Sequence, residues 1–225
     1  MRAEINEMKH IAILTGDLIA SRKADNIAML IDSLNLVFEE IRNYAGIAFD
    51  AEVFRGDSFQ IALQNPKDAV LLAVLIRVGL RSKTINNQSM SIHKLWDARI
   101  AIGIGNGNVK NKIVESNGEA FELSGIEFDK LKKKHEKLHI LTAWKTQNAS
   151  FDIIVKLLDV MIDRWTNLTS EVVYEYLLKG STQSEMAKEL NVSQPAINKR
   201  LNGANIYVIE NSIRYISDTI ALENI

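Results

Sequence analysis

The sequence predicts an α+β protein: a mixed, ferredoxin-like sheet with helices packed on it, followed by an all-helical unit. Three observations carry this expectation. Short β-rich apolar runs alternate with amphipathic stretches as far as Ala143, hairpin signals join some of these runs directly, and strand character disappears from Phe151 onward. The 225 residues suffice for a medium domain plus a small one. Polar residues cluster over 147–150, so the expected units are 1–148 and 149–225.

Residues 10–14 are apolar and lead to Thr15-Gly16-Asp17, so a buried strand delivers an aspartate at its C-terminal end. Over 25–44, Ile27, Leu30, Ile31, Leu34, Val37, Phe38 and Ile41 recur at helical spacing, and Gly46 stops the helix. The runs 49–54 and 58–63, joined at Arg55-Gly56-Asp57, read as a β-hairpin. Asn65-Pro66 opens a helix reaching Arg81, because proline at the first helical position gives up an N–H that has no partner there anyway. Residues 98–104 form a strand ending at Asn106-Gly107, a dipeptide suited to a tight hairpin, with 109–114 as the return strand. This hairpin also accounts for Gly103, Gly105 and Gly107, whose spacing is not that of a phosphate loop. A helix over 118–134 and a strand over 138–143 complete the first unit. In the second, helices are expected over 152–165, 170–178, 182–190, 193–202 and 207–221.

Composition narrows the function. With 47% hydrophobic and 24% charged residues the chain can bury a core, which excludes a disordered polyelectrolyte. The absence of cysteine removes disulfides, thiolate metal sites and cysteine nucleophiles, and it fits a reducing compartment. Residues 1–9 are charged and no apolar run reaches the roughly 18 residues of a membrane span, so a cytoplasmic protein without membrane partners is expected. There are 27 basic and 28 acidic residues, a net of −1, so any contact with a polyanion must be local.

Thr182-Gln183-Ser184-Glu185 is a capping box that opens a helix with Met186, Ala187 and Leu190 inward. Asn191 tolerates a left-handed turn, and Ser193 caps a second helix with Pro195 in its first turn. Ile197 and Leu201 point inward, leaving Gln194, Asn198, Lys199 and Asn202 outward. This pair resembles the helix-turn-helix of bacterial transcription factors, with Arg200 as a departure at a position usually apolar. The resemblance implies DNA as partner and Ser193, Gln194, Asn198, Lys199, Arg200 and Asn202 as the contacting residues. A purely structural αα-hairpin is the alternative. The field is weak, +1 over 181–204 and −3 over 151–225.

Asp17 at a strand end and Asp57 at a hairpin tip converge where their strands are neighbours, and paired carboxylates hold a hard cation such as Mg²⁺. Two turn aspartates capping nearby backbone are the plainer reading. The N-terminal 145 residues resemble the class III nucleotidyl cyclase fold, related to GGDEF domains, through Thr15-Gly16-Asp17-Leu18-Ile19-Ala20-Ser21, Gly56-Asp57, the stretch from Arg99 to Gly107, and Gly118-Glu119-Ala120-Phe121-Glu122-Leu123-Ser124. Together with the helical tail, the whole chain resembles the SatD-like bacterial proteins.

That resemblance implies Asp17 and Asp57 as metal residues, but the pattern is degenerate. Glu122 and Ile126 stand where cyclases carry the ribose-contacting asparagine and the phosphate-contacting arginine. Val53 replaces a base-selecting lysine, Glu115 a partner acid, and Ser58 the additional acid of GGDEF domains. An arginine that neutralises developing phosphoryl charge contributes orders of magnitude in rate, so cyclase activity is not expected. Binding of an anionic or nucleotide ligand remains, through Leu18, Ser21, Arg22, Arg55, Glu115 and Glu122, with backbone N–H groups before the helix and nearby cations. The expected function is a DNA-binding transcriptional regulator with a catalytically degenerate cyclase-like domain for sensing or dimerisation. The alternative is a Mg²⁺-dependent enzyme acting on a nucleotide or phosphoester through Asp17 and Asp57. A homodimer is expected, with the stripe Ile206, Ile209, Ile213, Ile216 and Ile220 either forming its interface or covering its own domain.

Overall fold

The computed structural model of the protein describes residues 10–19, 24–54, 56–84, 95–110 and 112–223. Its sheet runs in the order β2-β3-β1-β4-β5, from β1 (His10–Ile19), β2 (Asp50–Val53), β3 (Ser58–Leu63), β4 (Asp97–Asn106) and β5 (Leu138–Thr142). The central strand β1 is antiparallel to β3 and β4, β2 is antiparallel to β3, and β5 lies parallel to β4. With α1 (Ala24–Glu40) and α2 (Ala69–Ser82) as crossovers, the first four strands follow the βαββαβ order of ferredoxin-like sheets. One parallel crossover through α3 (Glu119–Lys134) then adds β5.

Alternation along β1 assigns its two faces. Ala12, Leu14 and Leu18 join the core that includes α1 and α2, whereas Ile11 and Ile13 pack with Ala120 of α3 on the opposite face. The expected return strand over 109–114 is corrected by the structure. Both edges of β4 are already taken, by β1 and β5, so a returning segment has nothing to pair with. Instead Asn108 makes an isolated bridge to Asn117, and Ile113–Glu115 is a 3-10 turn. Gly103 therefore serves packing rather than a turn: a Cβ there would lie 2.2 Å from the Ala120 carbonyl oxygen and 2.4 Å from the Ser124 nitrogen.

The rest of the chain is helical: α4 (Lys145–Asp163), α5 (Asn167–Lys179), α6 (Gln183–Glu189), α7 (Gln194–Gly203) and α8 (Ile206–Glu223). One apolar core runs from Ala12 in β1 through α2 to Phe151, Tyr174 and Ile216. The stripe Ile209, Ile213, Ile216 and Ile220 of α8 is buried in that core, and Ile206 packs against it. The stripe thus covers its own molecule, and the interface alternative for it is corrected. No helix among the described residues is long and apolar enough to cross a membrane.

A buried ionic cluster ties the sheet to the C-terminal helices. Arg77 and Arg81 of α2 are 0% and 1% exposed, on a helix otherwise apolar up to Leu80. Arg77 donates to Asp97 at 2.9 and 3.0 Å, to Asp159 at 2.6 Å and to Asp163 at 2.8 Å. Arg81 donates to Asp97 at 3.0 Å and to the Trp165 carbonyl at 2.7 Å, and Lys137 bridges Asp97 and Asp163. Burial pushes the Asp97 carboxyl up, but Arg77, with Lys137 and Arg81, outweighs it and holds the group well below the usual carboxylate range.

Candidate functional site

Two regions hold the residues singled out by sequence, and they lie at different places in the fold. The first is the end of the sheet where β1 finishes. Asp17 stands opposite Ser58 in β3 and Arg99 in β4. Its alternation places it on the α3 face with Thr15, where Gln60 Nε2 donates to Thr15 Oγ1 at 3.1 Å and Thr15 Oγ1 lies 3.0 Å from Ser124 Oγ. The hairpin between β2 and β3 closes through Phe54 N–H to the Ser58 carbonyl at 2.8 Å, with Gly56 at a φ of +99. Leu18 N–H donates to the Asp57 carbonyl at 2.8 Å, which seats the hairpin tip beside the end of β1.

Asp17 is paired with a cationic side chain of the neighbouring strand. Arg99 Nε and Nη2 donate to Asp17 Oδ1 and Oδ2, each at 2.8 Å, and the aspartate is only 5% exposed. A bidentate guanidinium occupies both oxygens and neutralises the charge that a cation would need. In the sequence Arg99 reads only as part of a strand. The signal that places it is register: two charged residues directly opposite in adjacent antiparallel strands share a face. Among the described residues no three His, Cys, Asp or Glu side chains group as a metal site.

The expected ligand-binding residues are dispersed. Ser21, Arg22 and Arg55 lie outside the described residues. Leu18 is buried in the main core, so only its main chain reaches the hairpin. Glu115 is exposed in the 3-10 turn, 3.9 Å from Lys112, while Glu52 accepts from the N–H groups of Ile113 and Val114 at 2.8 and 3.3 Å and so caps that turn. Glu122 is exposed on α3, one turn before the half-exposed Ile126.

The second region is the pair α6 and α7. Thr182 and Glu185 form the reciprocal capping box, with Thr182 N–H donating to Glu185 Oε2 at 2.7 Å, and these contacts hold the Glu185 carboxyl below its ordinary value. Asn191 takes a φ of +51 in the turn, and Ser193 accepts from Ala196 N–H at the start of α7. Val172, Met186, Ile197 and Leu201 make the small core beneath, joined by Ala187, Leu190 and Val192.

The exposed side of α7 carries Gln194, Asn198, Lys199 and Asn202, with Ser193 exposed at its cap. Asn198 Oδ1 accepts from Gln183 Nε2 at 3.4 Å and from Asn202 Nδ2 at 3.2 Å, so an amide ladder runs from α6 along α7. Arg200 is half-buried and lines a cavity against the corner between α4 and α5.

No family model matches the chain, and no curated protein matches it. Two solved structures of a bacterial light-regulated adenylyl cyclase are similar to it at TM-score 0.37, with 11% and 12% identity, over 59% of this chain and 42% of theirs. The chain thus spans less than half the length of those proteins.

Proposed function

We propose that the protein is a DNA-binding transcriptional regulator in which α6 and α7 act as a helix-turn-helix and the sheet, a degenerate cyclase-like domain, serves sensing or dimerisation. The observation that carries this reading is the composition of the exposed side of α7. It presents amides and a lysine, which are donors and acceptors for base edges and phosphates, and the helix contains no acidic residue. Its polar row is backed by buried Ile197 and Leu201, which orient it outward. The enzyme reading is weaker, because Arg99 occupies the carboxylate of Asp17 and Ile126 stands where a transition-state cation belongs.

A local field this weak gains useful affinity from two copies reading half-sites about one DNA turn apart, roughly 34 Å. A homodimer is therefore part of the proposal. With the isoleucine stripe of α8 spent internally, the row proposed for it is Ile153, Leu157 and Val160 on α4, exposed by 61%, 59% and 51%.

The test is a binding titration against selected and random duplexes at several salt concentrations. Gln194→Ala or Asn198→Ala should cost about 1–3 kcal/mol on the preferred site and little on random DNA. Lys199→Ala should weaken both alike and flatten log K against log salt by about one unit for each phosphate that the lysine no longer neutralises. If the wild type shows no site preference at low salt, or if these variants match it, the helix pair is structural and the regulator reading falls.

A further inference from the structure

A cavity of about 600 Å³ opens between the α4–α5 corner and the side of α7 turned away from its amide ladder. Its charged lining is Arg164, Lys199 and Arg200, with no acidic residue in the wall. Thr166 and Thr169 contribute hydroxyls at the N-terminus of α5, whose dipole adds positive potential. Met161, Trp165 and Leu168 supply an apolar floor.

Two features of this wall lack an explanation within the fold. Arg200 Nη1 is buried and has no hydrogen-bond partner. None of the three cations makes an ion pair with a carboxylate, although nine other Lys or Arg side chains among the described residues do. The acid that acts on Arg200 is Glu171 of α5, whose own carboxyl is pushed up by burial and only partly drawn back by that arginine. A buried guanidinium donor left unmet is costly, and an oxyanion would satisfy it with a strong, charge-assisted bond. The volume falls within the roughly 300–1,000 Å³ range of small-molecule sites, and the mixture of an apolar floor with a few convergent charges is their usual chemistry.

We propose that this cavity binds a small organic oxyanion, a phosphate- or carboxylate-bearing molecule with an apolar body, and that its binding fixes α7 against the α4–α5 corner. The cations take the oxyanion, and Trp165, Met161 and Leu168 take the apolar body. Because Arg200 and Lys199 belong to α7 while Arg164 ends α4, one bound anion joins the two elements. Lys199 is shared with the side of α7 proposed to meet DNA, whereas Arg164, Trp165, Met161 and Leu168 lie off that side, so small-anion binding and DNA binding are separated by the Arg164 variant.

The probes are phenyl phosphate, benzoate and inorganic phosphate, each compared with sodium chloride at equal ionic strength. Phenyl phosphate or benzoate should raise the melting temperature above the chloride control and bind more tightly than inorganic phosphate. Amide chemical-shift changes in the wild type should cluster over 161–169 and 196–205. Arg200→Gln should weaken binding about tenfold or more, and so should Arg164→Gln, at an exposed position where folding is safe. Arg200→Lys should restore part of the loss. No stabilisation beyond chloride, or shift changes centred elsewhere, overturns the proposal whatever the variants do. A DNA duplex that displaces phenyl phosphate and loses affinity equally in Arg164→Gln would assign the cavity to nucleic-acid backbone and overturn the small-molecule reading.

Discussion

Replacing Arg77 with methionine keeps a long apolar stem in α2 and removes one guanidinium from the buried cluster. Four hydrogen bonds to three carboxylates go with it. The loss falls unevenly. Asp97 keeps Arg81 and Lys137 at 3.0 and 3.3 Å, and Asp163 keeps Lys137 and has a side chain 40% exposed. Asp159, with a side chain only 9% exposed, keeps a single main-chain donor, the N–H of Lys137 at 2.8 Å. Breaking a buried pair from one side costs about 3–5 kcal/mol, and the partners that remain put Arg77→Met near the lower end.

Against a total stability of roughly 5–15 kcal/mol, the variant should still fold. At about 2–4 °C per kcal/mol for a chain of this size, its melting temperature should drop on the order of 10 °C. The sign of the pH dependence follows from the depressed Asp97 carboxyl. A group whose folded pKa lies below its unfolded value contributes stability above the unfolded value, about 3.9 for aspartate, and loses it as pH falls through the folded one. Arg77→Met gives up part of that contribution, so the gap to wild type is full at neutral pH and narrows as the carboxylates protonate. Urea denaturation followed by circular dichroism at neutral pH and near pH 2.5, below the unfolded carboxylate value, measures both. A gap below about 1 kcal/mol, or one that does not shrink in acid, would show that the cluster does not hold its carboxylates charged by pairing.

Three further outcomes are expected. Gly103→Ala forces a methyl into the main chain of α3 and should destabilise by about 1–3 kcal/mol, as overpacking does; an unchanged unfolding midpoint would mean that the helix can lift off the sheet without penalty. With Asp17 engaged on both oxygens by Arg99, millimolar Mn²⁺ should leave the wild-type melting temperature where it was; a rise that Asp57→Asn removes would restore a two-aspartate metal site. Light scattering should give a dimer mass for the wild type and a monomer for Leu157→Glu, and a wild-type monomer at tens of micromolar would refute pairing through α4.

Much of the fold was readable from short-range pattern. The run 58–63 and the helix over 118–134 match β3 and α3 closely, because alternation and caps are properties of neighbouring residues. The Thr182 capping box and the left-handed Asn191 are equally local. What was not readable depends on partners far along the chain. Asn106-Gly107 looks like a hairpin until β5 is known to occupy the edge of β4. Arg99 meets Asp17 across 82 residues, and Arg77 meets Asp163 across 86. Two arginines four apart in the otherwise apolar run from Ala69 to Arg81 are the available hint that α2 is buried all round and has distant acids to satisfy. The α8 isoleucines are visible as a stripe, yet a stripe does not say which molecule covers it.

The position of α2 also sets an order of events during synthesis. Its arginines need Asp97 from the next strand, but also Asp159, Asp163 and the Trp165 carbonyl, which are translated more than 80 residues later. At roughly 5–20 residues per second, that interval is on the order of 10 s. Throughout it, the apolar face of α2 that will meet Tyr174 and Ile216 stands uncovered and its guanidinium groups remain in water. The nascent sheet half is therefore the stage at which a chaperone would find this chain, and a pause in elongation before α4 is complete would lengthen that exposure.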